Sequence, residues 1–193
     1  MSQPQVICYC DGSADAEGHG GAAAIYISQK TGKRREVGVS VREGATNQRM
    51  EILAAILALK YLQWAPVSVK IISDSKYVVD CFRQDWIPNW RRKGWRAASA
   101  KPVANRDLWE TLESLVAIHD VEFEWVKGHA GDVENERVDM LAGAYRYRAH
   151  QEEVQATAQA TARDYRMGRR SVARDGKGAT QKRKRGRRTR SKG

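Results

Sequence analysis

The sequence predicts an α/β fold with a mixed five-stranded sheet, three antiparallel strands followed by two parallel ones, flanked by helices. Three observations carry this. Near the N-terminus, strand-like segments are joined by short links, the pattern of an antiparallel meander. After them, helical and strand-like patterns alternate as αβα and then αβα, which calls for a sheet covered by helices. The chain has 193 residues, enough for one ordinary domain of about 150 residues with an extension.

Gln5–Cys10 alternates around Val6, Cys8 and Cys10 and stops at Asp11-Gly12-Ser13, so a strand followed by a turn is expected. The glycines of Gly18–Gly21 lead into a second strand, Ala22–Ser28. Arg35–Arg42 alternates Val37, Val39 and Val41 with polar residues, a third strand with one wet face. Thr46 then caps a helix running to about Gln63, with Met50, Leu53, Ala54, Leu57 and Tyr61 at helical spacing. Pro66 breaks that pattern. Val67–Ser73 is a short apolar strand ending at Asp74, and Ser75–Phe82 is a helix. Residues 83–101 are rich in Trp and Arg and lack a clear period. A helix over Pro102–Ile118 turns Leu108, Leu112 and Leu115 inward. Val121–Val126 is the last strand, Lys127–Val133 a glycine-containing loop, and Glu134–Arg148 the last helix of the body. Beyond His150 the character changes. Gln151–Arg163 is rich in Ala, Gln and Glu and can prolong that helix, whereas Gly168–Gly193 is rich in Arg, Lys and Gly and is expected to be disordered alone. The domain reading is therefore a body over 1–149, with 83–101 set apart within it, and a basic, largely disordered extension over 150–193.

The formal net charge of +11 points to a polyanionic partner, and its distribution says more. Residues 150–193 carry 14 Lys and Arg against 4 Asp and Glu. Residues 1–149 are nearly balanced at 20 against 19. Within that body, 83–106 holds 7 basic residues and 1 acid, which leaves the remainder acidic. An acidic region, a basic segment inside the fold and a basic tail are thus distinct. Apolar runs are short and interrupted by charge, so no membrane span is expected, and the N-terminus does not read as a secretory signal. Cys8, Cys10 and Cys81 are an odd count. Cys8 and Cys10 share one face of a strand and are poorly placed to bridge, so all three are expected as reduced, buried thiols of a cytoplasmic protein.

Four acids fall at informative places. Asp11 closes the first strand, Asp74 closes the fourth, Glu51 lies early in the first helix, and Asp139 lies early in the last helix. Strand C-terminal ends and the helix starts beside them are where α/β sheets place their sites. Four carboxylates meeting at one edge require a counter-cation, and hard oxygen ligands suit Mg²⁺ or Mn²⁺. Two such ions can clamp an in-line attack of water on a phosphodiester. Each acid alone has a plainer reading: Asp11 as a turn former, Glu51 as a solvated helix residue, Asp74-Ser75 as a helix cap, Asp139 as a surface partner of Arg137 or other neighbours.

The local sequences around these acids change the weighing. Asp11-Gly12-Ser13 after a strand, Thr46-Asn47-Gln48-Arg49-Met50-Glu51 opening a helix, and Ser73-Asp74-Ser75 ending a strand resemble type 1 ribonuclease H. So do Trp86-Ile87-Pro88-Asn89-Trp90 with Gly94-Trp95, the run Glu124-Trp125-Val126-Lys127-Gly128-His129-Ala130-Gly131, and Glu134-Asn135-Glu136-Arg137-Val138-Asp139. The resemblance covers roughly residues 4–148, in order.

That resemblance implies a ribonuclease H-like fold and an endonuclease that hydrolyses the RNA strand of RNA–DNA hybrids, leaving 5′-phosphate and 3′-hydroxyl ends. It implies Mg²⁺, with Mn²⁺ as a substitute and two ions in the substrate complex. Asp11, Glu51, Asp74 and Asp139 match the metal-binding quartet. His129 matches the family's mobile-loop histidine, able to shuttle a proton or help product leave, and Glu134 is placed to support that loop. Gly12, Asn47 and Gln48 match positions at the substrate's minor groove and 2′-hydroxyls, and Thr46 and Asn105 match positions that hold a DNA-strand phosphate. Residues 83–101 match the basic protrusion of many bacterial members, in which Arg91, Arg92, Lys93 and Arg96 interleave with Trp86, Trp90 and Trp95. Basic side chains there track the DNA backbone, and an indole packs on deoxyribose. Trp86 reads better as a core anchor, and the resemblance leaves Trp90 and Trp95 open between the two roles.

The chain also departs from the family pattern. Residues 14–20 carry Asp15 and Glu17 where phosphate is expected nearby, Lys76 stands beside the second catalytic Asp, and Gly44 occupies a position where an Arg is expected, with Arg42 as a substitute. The tail, with the run KRKRGRRTR over 182–190, lies beyond the family core. It suits a sequence-independent nucleic-acid tether; a solubilising or ribosome-binding tail and a nuclear-import run are the alternatives. The implied partner is the hybrid duplex, the implied state a monomer without membrane attachment. Two other function classes compete: a different nuclease or strand-transfer enzyme of the same superfold, and a non-catalytic hybrid-binding module, which is expected to lose a carboxylate.

Overall fold

The computed structural model describes residues 4–62 and 65–182, with side chains to residue 160. Its order is β1 (Val6–Ala14), β2 (Gly20–Ser28), β3 (Arg34–Val41), α1 (Asn47–Lys60), β4 (Ser68–Ser73), α2 (Lys76–Arg83), α3 (Trp86–Arg92), α4 (Arg106–Val116), β5 (Asp120–Trp125) and α5 (Val133–Lys182). The five strands form one sheet in the order β3-β2-β1-β4-β5. β1, β2 and β3 pair antiparallel, and β4 and β5 add in parallel. This is the mixed sheet expected from the sequence.

Strand periodicity builds a core on each face. In β2, Ala22, Ala24 and Tyr26 join the larger core, while Ala23, Ile25 and Ile27 join a smaller one with Val138, Leu141, Ala142 and Tyr145 of α5. The larger core is organised by α1. Its Ile52, Ala54, Ala55, Ile56, Leu57, Ala58 and Leu59 are all buried, because the helix is covered by the sheet on one side and by α4 on the other. A fully buried Ile or Leu contributes about 1.5–3 kcal/mol, so α1 is a large share of the domain's stability. Thr46 caps it, its hydroxyl accepting from Arg49 N at 3.2 Å.

Four features differ from the sequence reading. β1 does not stop at Cys10: it stays paired with β2 to Ala14↔Gly20, so Asp11, Gly12 and Ser13 are strand residues and the turn falls at 15–19. Residues 86–92 form a short helix, α3, whose buried Ile87 anchors it to the core; seven residues are too few to show a period. α4 begins at Arg106, since Pro102 instead pairs with Arg96 in an isolated bridge. Helix α5 continues to Lys182, through residues expected to lack structure. Ala, Gln, Glu and Arg dominate its middle and all are good helix formers. Residues 183–193, with most of the KRKRGRRTR run, lie outside the described residues, as does Gln63 at the expected end of α1. Contacts divide the chain into two compact units, Met1–Gln151 and Glu152–Gly193. Among the described residues, no helix is long and apolar enough to cross a membrane. Cys8, Cys10 and Cys81 are free and buried.

Candidate active site

β1 and β4 are hydrogen-bonded neighbours only from Val6↔Val69 to Tyr9↔Ile72. Beyond Tyr9 the two central strands part while β1 stays on β2, and the crevice this opens at the strand ends is where an open α/β sheet places its site. Asp11 lies on β1 just past the parting, and Asp74 directly follows β4. Glu51 comes from the second turn of α1, and Asp139 from the second turn of α5.

Close backbone approach makes this convergence possible. A Cβ on Gly12 would stand 2.1 Å from the Met50 carbonyl carbon and 2.3 Å from Glu51 N, so only glycine lets β1 lie against the start of α1. A Cβ on Gly128 would stand 2.5 Å from Asp74 Oδ2, so the loop after β5 reaches the same carboxylate.

The four acids share one electrostatic environment. Asp11 is 9% exposed. Burial pushes its carboxyl up to about 7; the charges of Asp74, Asp139 and Glu51 add to the rise, and the Gly12 N–H opposes it. Burial raises Glu51 as well, while the Ser75 hydroxyl pulls it back and Asp74 adds to the rise. Ser75 Oγ donates to Glu51 Oε2 at 2.7 Å. Asn135 is 3% exposed, and its Nδ2 lies 3.4 Å from Asp74 Oδ2. Asp132 Oδ1 caps α5 by accepting from Glu134 N and Asn135 N, both at 3.0 Å, which sets Asn135 in place. Neighbouring cations are engaged elsewhere. Arg137 makes a two-pronged contact with Glu36, at 3.1 and 3.0 Å, and Lys76 Nζ sits 4.6 Å from the centre of the Trp125 ring. Four neighbouring carboxylates, with the proton affinities of Asp11 and Glu51 raised, are a donor set that fits hard divalent cations.

His129 stands at the rim. It has a left-handed backbone, φ 52°, its side chain is 80% exposed, and Nδ1 lies 3.9 Å from Asp139 Oδ2. Glu134 does not turn toward this loop as expected: its Oε2 pairs with Arg34 at 2.8 Å, across to β3. Nor is Asp139 the partner of Arg137.

Thr46, Asn47 and Gln48 are exposed at the start of α1. Asn47 Oδ1 accepts from Ala14 N at 2.8 Å, tying α1 to β1. Asn105 stands at the N-cap of α4 in a left-handed conformation and makes no side-chain capping bond. Its Oδ1 accepts from Arg49 Nη1 at 3.2 Å, and the same guanidinium holds Asp107 at 3.1 and 2.7 Å. Arg49 thereby joins the starts of α1 and α4. The altered 14–20 segment is the β1–β2 turn, in which Asp15 Oδ1 accepts from His19 N at 2.8 Å. Asp15 Oδ1 is thus engaged within the turn.

In the basic segment, Trp86, Asn89, Trp90, Lys93, Arg96 and Ala98 line a groove of about 420 Å³. Trp90 is half-buried, with its ring 6.0 Å from Trp86, 6.2 Å from Trp95 and 5.6 Å from Trp109. Trp95 is only 8% exposed and its ring lies beneath Arg106. The structure thus makes Trp95 chiefly an anchor, because the left-handed turn at Gly94 and Trp95 folds the indole inward. Arg91 pairs with Glu113 at 2.6 Å, Arg92 with Asn89; Lys93 is exposed.

The sequence reading missed Arg49, Asp132 and Asn135 as supports, and saw Ser75 only as a cap. An Asn in the first turn of the last helix was the one available signal; the others depend on partners distant in the chain.

Residues 3–146 match the RNase H family profile. The chain is 46% identical over 145 residues to a ribonuclease H of Nitratidesulfovibrio vulgaris, covering 75% of this chain and 90% of that protein. It is 43% identical over 139 residues to a ribonuclease HI of Pseudomonas aeruginosa, covering 72% and 90%. Among solved structures it is similar to LC9-RNase H1, a type 1 RNase H with the type 2 active-site motif, at 32% identity and a TM-score of 0.64, covering 75% of this chain and 72% of that one. The fold is also shared with a foamy viral protease–reverse transcriptase in complex with RNA/DNA hybrid, at 20% identity and a TM-score of 0.64, covering 75% of this chain and 20% of that one. With the sheet, the carboxylate crevice and these likenesses in agreement, the chain belongs to the ribonuclease H family of endoribonucleases.

Proposed function

We propose that residues 1–149 form a catalytic domain that hydrolyses the RNA strand of RNA–DNA hybrids, with Asp11, Glu51, Asp74 and Asp139 holding Mg²⁺, or Mn²⁺ in its place, two ions with substrate bound. The observation that carries this is the convergence of the four carboxylates, with Asp11 pushed up to about 7 by burial and by the others. Such a cluster favours dications, and its all-oxygen donors favour hard ones. When bound, the ions supply activation of the attacking water and stabilisation of the leaving 3′ oxygen in an in-line displacement.

The chain's own groups do the remaining work. Ser75 fixes the Glu51 carboxylate, Asn135 and the close approach of Gly128 fix Asp74, and Gly12 lets Asp11 lie beside Glu51. His129, exposed at the rim beside Asp139, shuttles a proton or helps product leave. Asn47, Gln48 and the Gly12 backbone read 2′-hydroxyls in the shallow minor groove. Thr46 and Asn105, joined through Arg49, receive a DNA-strand phosphate. Trp90, Arg91, Arg92 and Lys93 meet the DNA strand further along. The extension over 150–193 adds sequence-independent affinity for phosphates. The three reduced, buried thiols suit the cytoplasm, where the chain acts as a monomer.

Strand-labelled RNA–DNA hybrid, double-stranded RNA and double-stranded DNA of one sequence, each incubated with Mg²⁺, test the substrate. Cutting confined to the RNA of the hybrid is expected; equal cutting of double-stranded RNA overturns the proposal.

A further inference from the structure

A second group of metal-ligating side chains lies away from the carboxylate crevice. Asp15, His19 and His150 each offer a ligand atom, and these atoms all lie within 4.8 Å of one another. Two of the chain's four histidines are gathered here. Asp15 and His19 close the β1–β2 turn, where Asp15 N donates to His19 O at 3.0 Å. His150 arrives on α5. The α5 side chains at 139, 146 and 150 recur at helical spacing along one strip. Asp139 serves the catalytic crevice, Arg146 Nη1 donates to Ser13 Oγ at 2.9 Å, and His150 meets His19. Eleven residues of helix separate Asp139 from His150, about 16 Å at 1.5 Å per residue, so the two sites are distinct.

We propose that Asp15, His19 and His150 form a binding site for a zinc-class transition-metal ion, which ties the β1–β2 turn to α5. One pair of ligand atoms already has the spacing of a coordination sphere. Asp15 Oδ2 and His19 Nδ1 are 3.1 Å apart, near the spacing of about 3.3 Å between neighbouring ligands of a tetrahedral ion with bonds of about 2.0 Å. The His19 and His150 rings are edge-to-face with centroids 4.9 Å apart, and a ligand atom of each lies within 4.8 Å of the other two. Asp15 is oriented for the task, because its other oxygen accepts from the His19 backbone at 2.8 Å. Outer-sphere bonds of this kind fix ligand direction in metal sites. His19 is 2% exposed, which shields the site, while the partly exposed Asp15 and His150 leave an entry path. Two imidazoles and one carboxylate with a fourth position for water is a zinc donor set; it is a poor one for Mg²⁺, which takes oxygen ligands. The two sites should therefore sort their ions by ligand chemistry.

The full chain carrying Asp74→Asn, which weakens the carboxylate centre, is titrated with Zn²⁺ against a chromogenic chelator in excess Mg²⁺. Co²⁺ serves as a visible-absorption probe. One Zn²⁺ per chain, a tetrahedral Co²⁺ spectrum and a Zn²⁺-dependent rise in Tm are expected. Adding His150→Ala, or separately Asp15→Asn, should weaken Zn²⁺ by at least about tenfold and abolish the spectrum. Absence of Zn²⁺ binding in the Asp74→Asn chain, or a loss of less than tenfold in both added variants, overturns the site.

Discussion

Ser75 Oγ and Glu51 Oε2 meet at 2.7 Å, joining the residue that caps α2 to a carboxylate of α1. The same oxygen accepts from Val78 N at 3.4 Å, so one hydroxyl starts a helix and aims a carboxylate of the proposed metal site. Ser75→Ala should destabilise the protein by about 1–2 kcal/mol through loss of the cap and of the charge-assisted bond. It should also raise the Mg²⁺ concentration needed for half-maximal cleavage. Urea unfolding with a metal titration measures both; an unchanged Mg²⁺ requirement would show that Glu51 is held by other means.

Gly128 lies where a side chain would strike Asp74. Gly128→Ala places a methyl within 2.5 Å of the Asp74 Oδ2 position, so either the loop or the carboxylate must shift. A displacement of about 1 Å at a catalytic group can cost about a hundredfold in rate. A fall in kcat of that order is expected with Tm little changed, since the collision is with a side chain end. Wild-type kcat for this variant would sink the argument.

The Asp11 carboxyl, at about 7 in the folded chain without metal, has a proton affinity raised above its ordinary value. The folded state then binds more protons than the unfolded state between about pH 4 and 7, so stability falls as pH rises through that window. Denaturation at several pH values in EDTA should show a decline on the order of a few kcal/mol. Asp11→Asn should flatten it. Mg²⁺ competes with the proton, so at limiting Mg²⁺ cleavage should fall as the pH drops below about 7. A stability curve rising over the same window contradicts the assignment.

Arg49 holds Asn105 and Asp107 at once. Arg49→Ala should release Asn105, raising KM for hybrid several-fold while kcat changes less, because Asn105 is proposed to bind substrate and not to hold metal. Steady-state kinetics separates the two. Arg49→Lys should recover only part of the loss, since an ammonium cannot reproduce the two-pronged contact.

The basic extension is expected to act through phosphates alone. Truncation after His150 removes 14 Lys and Arg and 4 Asp and Glu. It should weaken hybrid binding and make log K fall less steeply with log salt, by about 0.9 for each phosphate that the extension neutralises. Equal slopes for the two proteins would rule the tether out.

Much of this site could be read in the chain itself, because it rests on local patterns. The period-2 runs placed β1 and β3, the helical spacing after Thr46 placed α1, and the acids at 11, 51, 74 and 139 stood beside distinctive short sequences. What stayed hidden depends on contacts across long separations. Whether β1 ends at Cys10 or Ala14 is decided by the length of β2 opposite it, not by β1. Glu134 faces Arg34 because β3 lies alongside α5, and Trp95 is buried because a left-handed turn folds it inward. Asp15 and His19 read as an unusual loop until α5 brings His150 against them.

The central claim is that the four carboxylates hold the metal that cuts the RNA strand. Its most direct test is cleavage of strand-labelled hybrid by the wild-type chain and by Asp74→Asn, each in Mg²⁺ and in EDTA. RNA-strand cutting by the wild type in Mg²⁺ alone, abolished in EDTA and in Asp74→Asn, is the predicted result. Cutting that survives in EDTA, or in Asp74→Asn at the wild-type rate, would contradict the account.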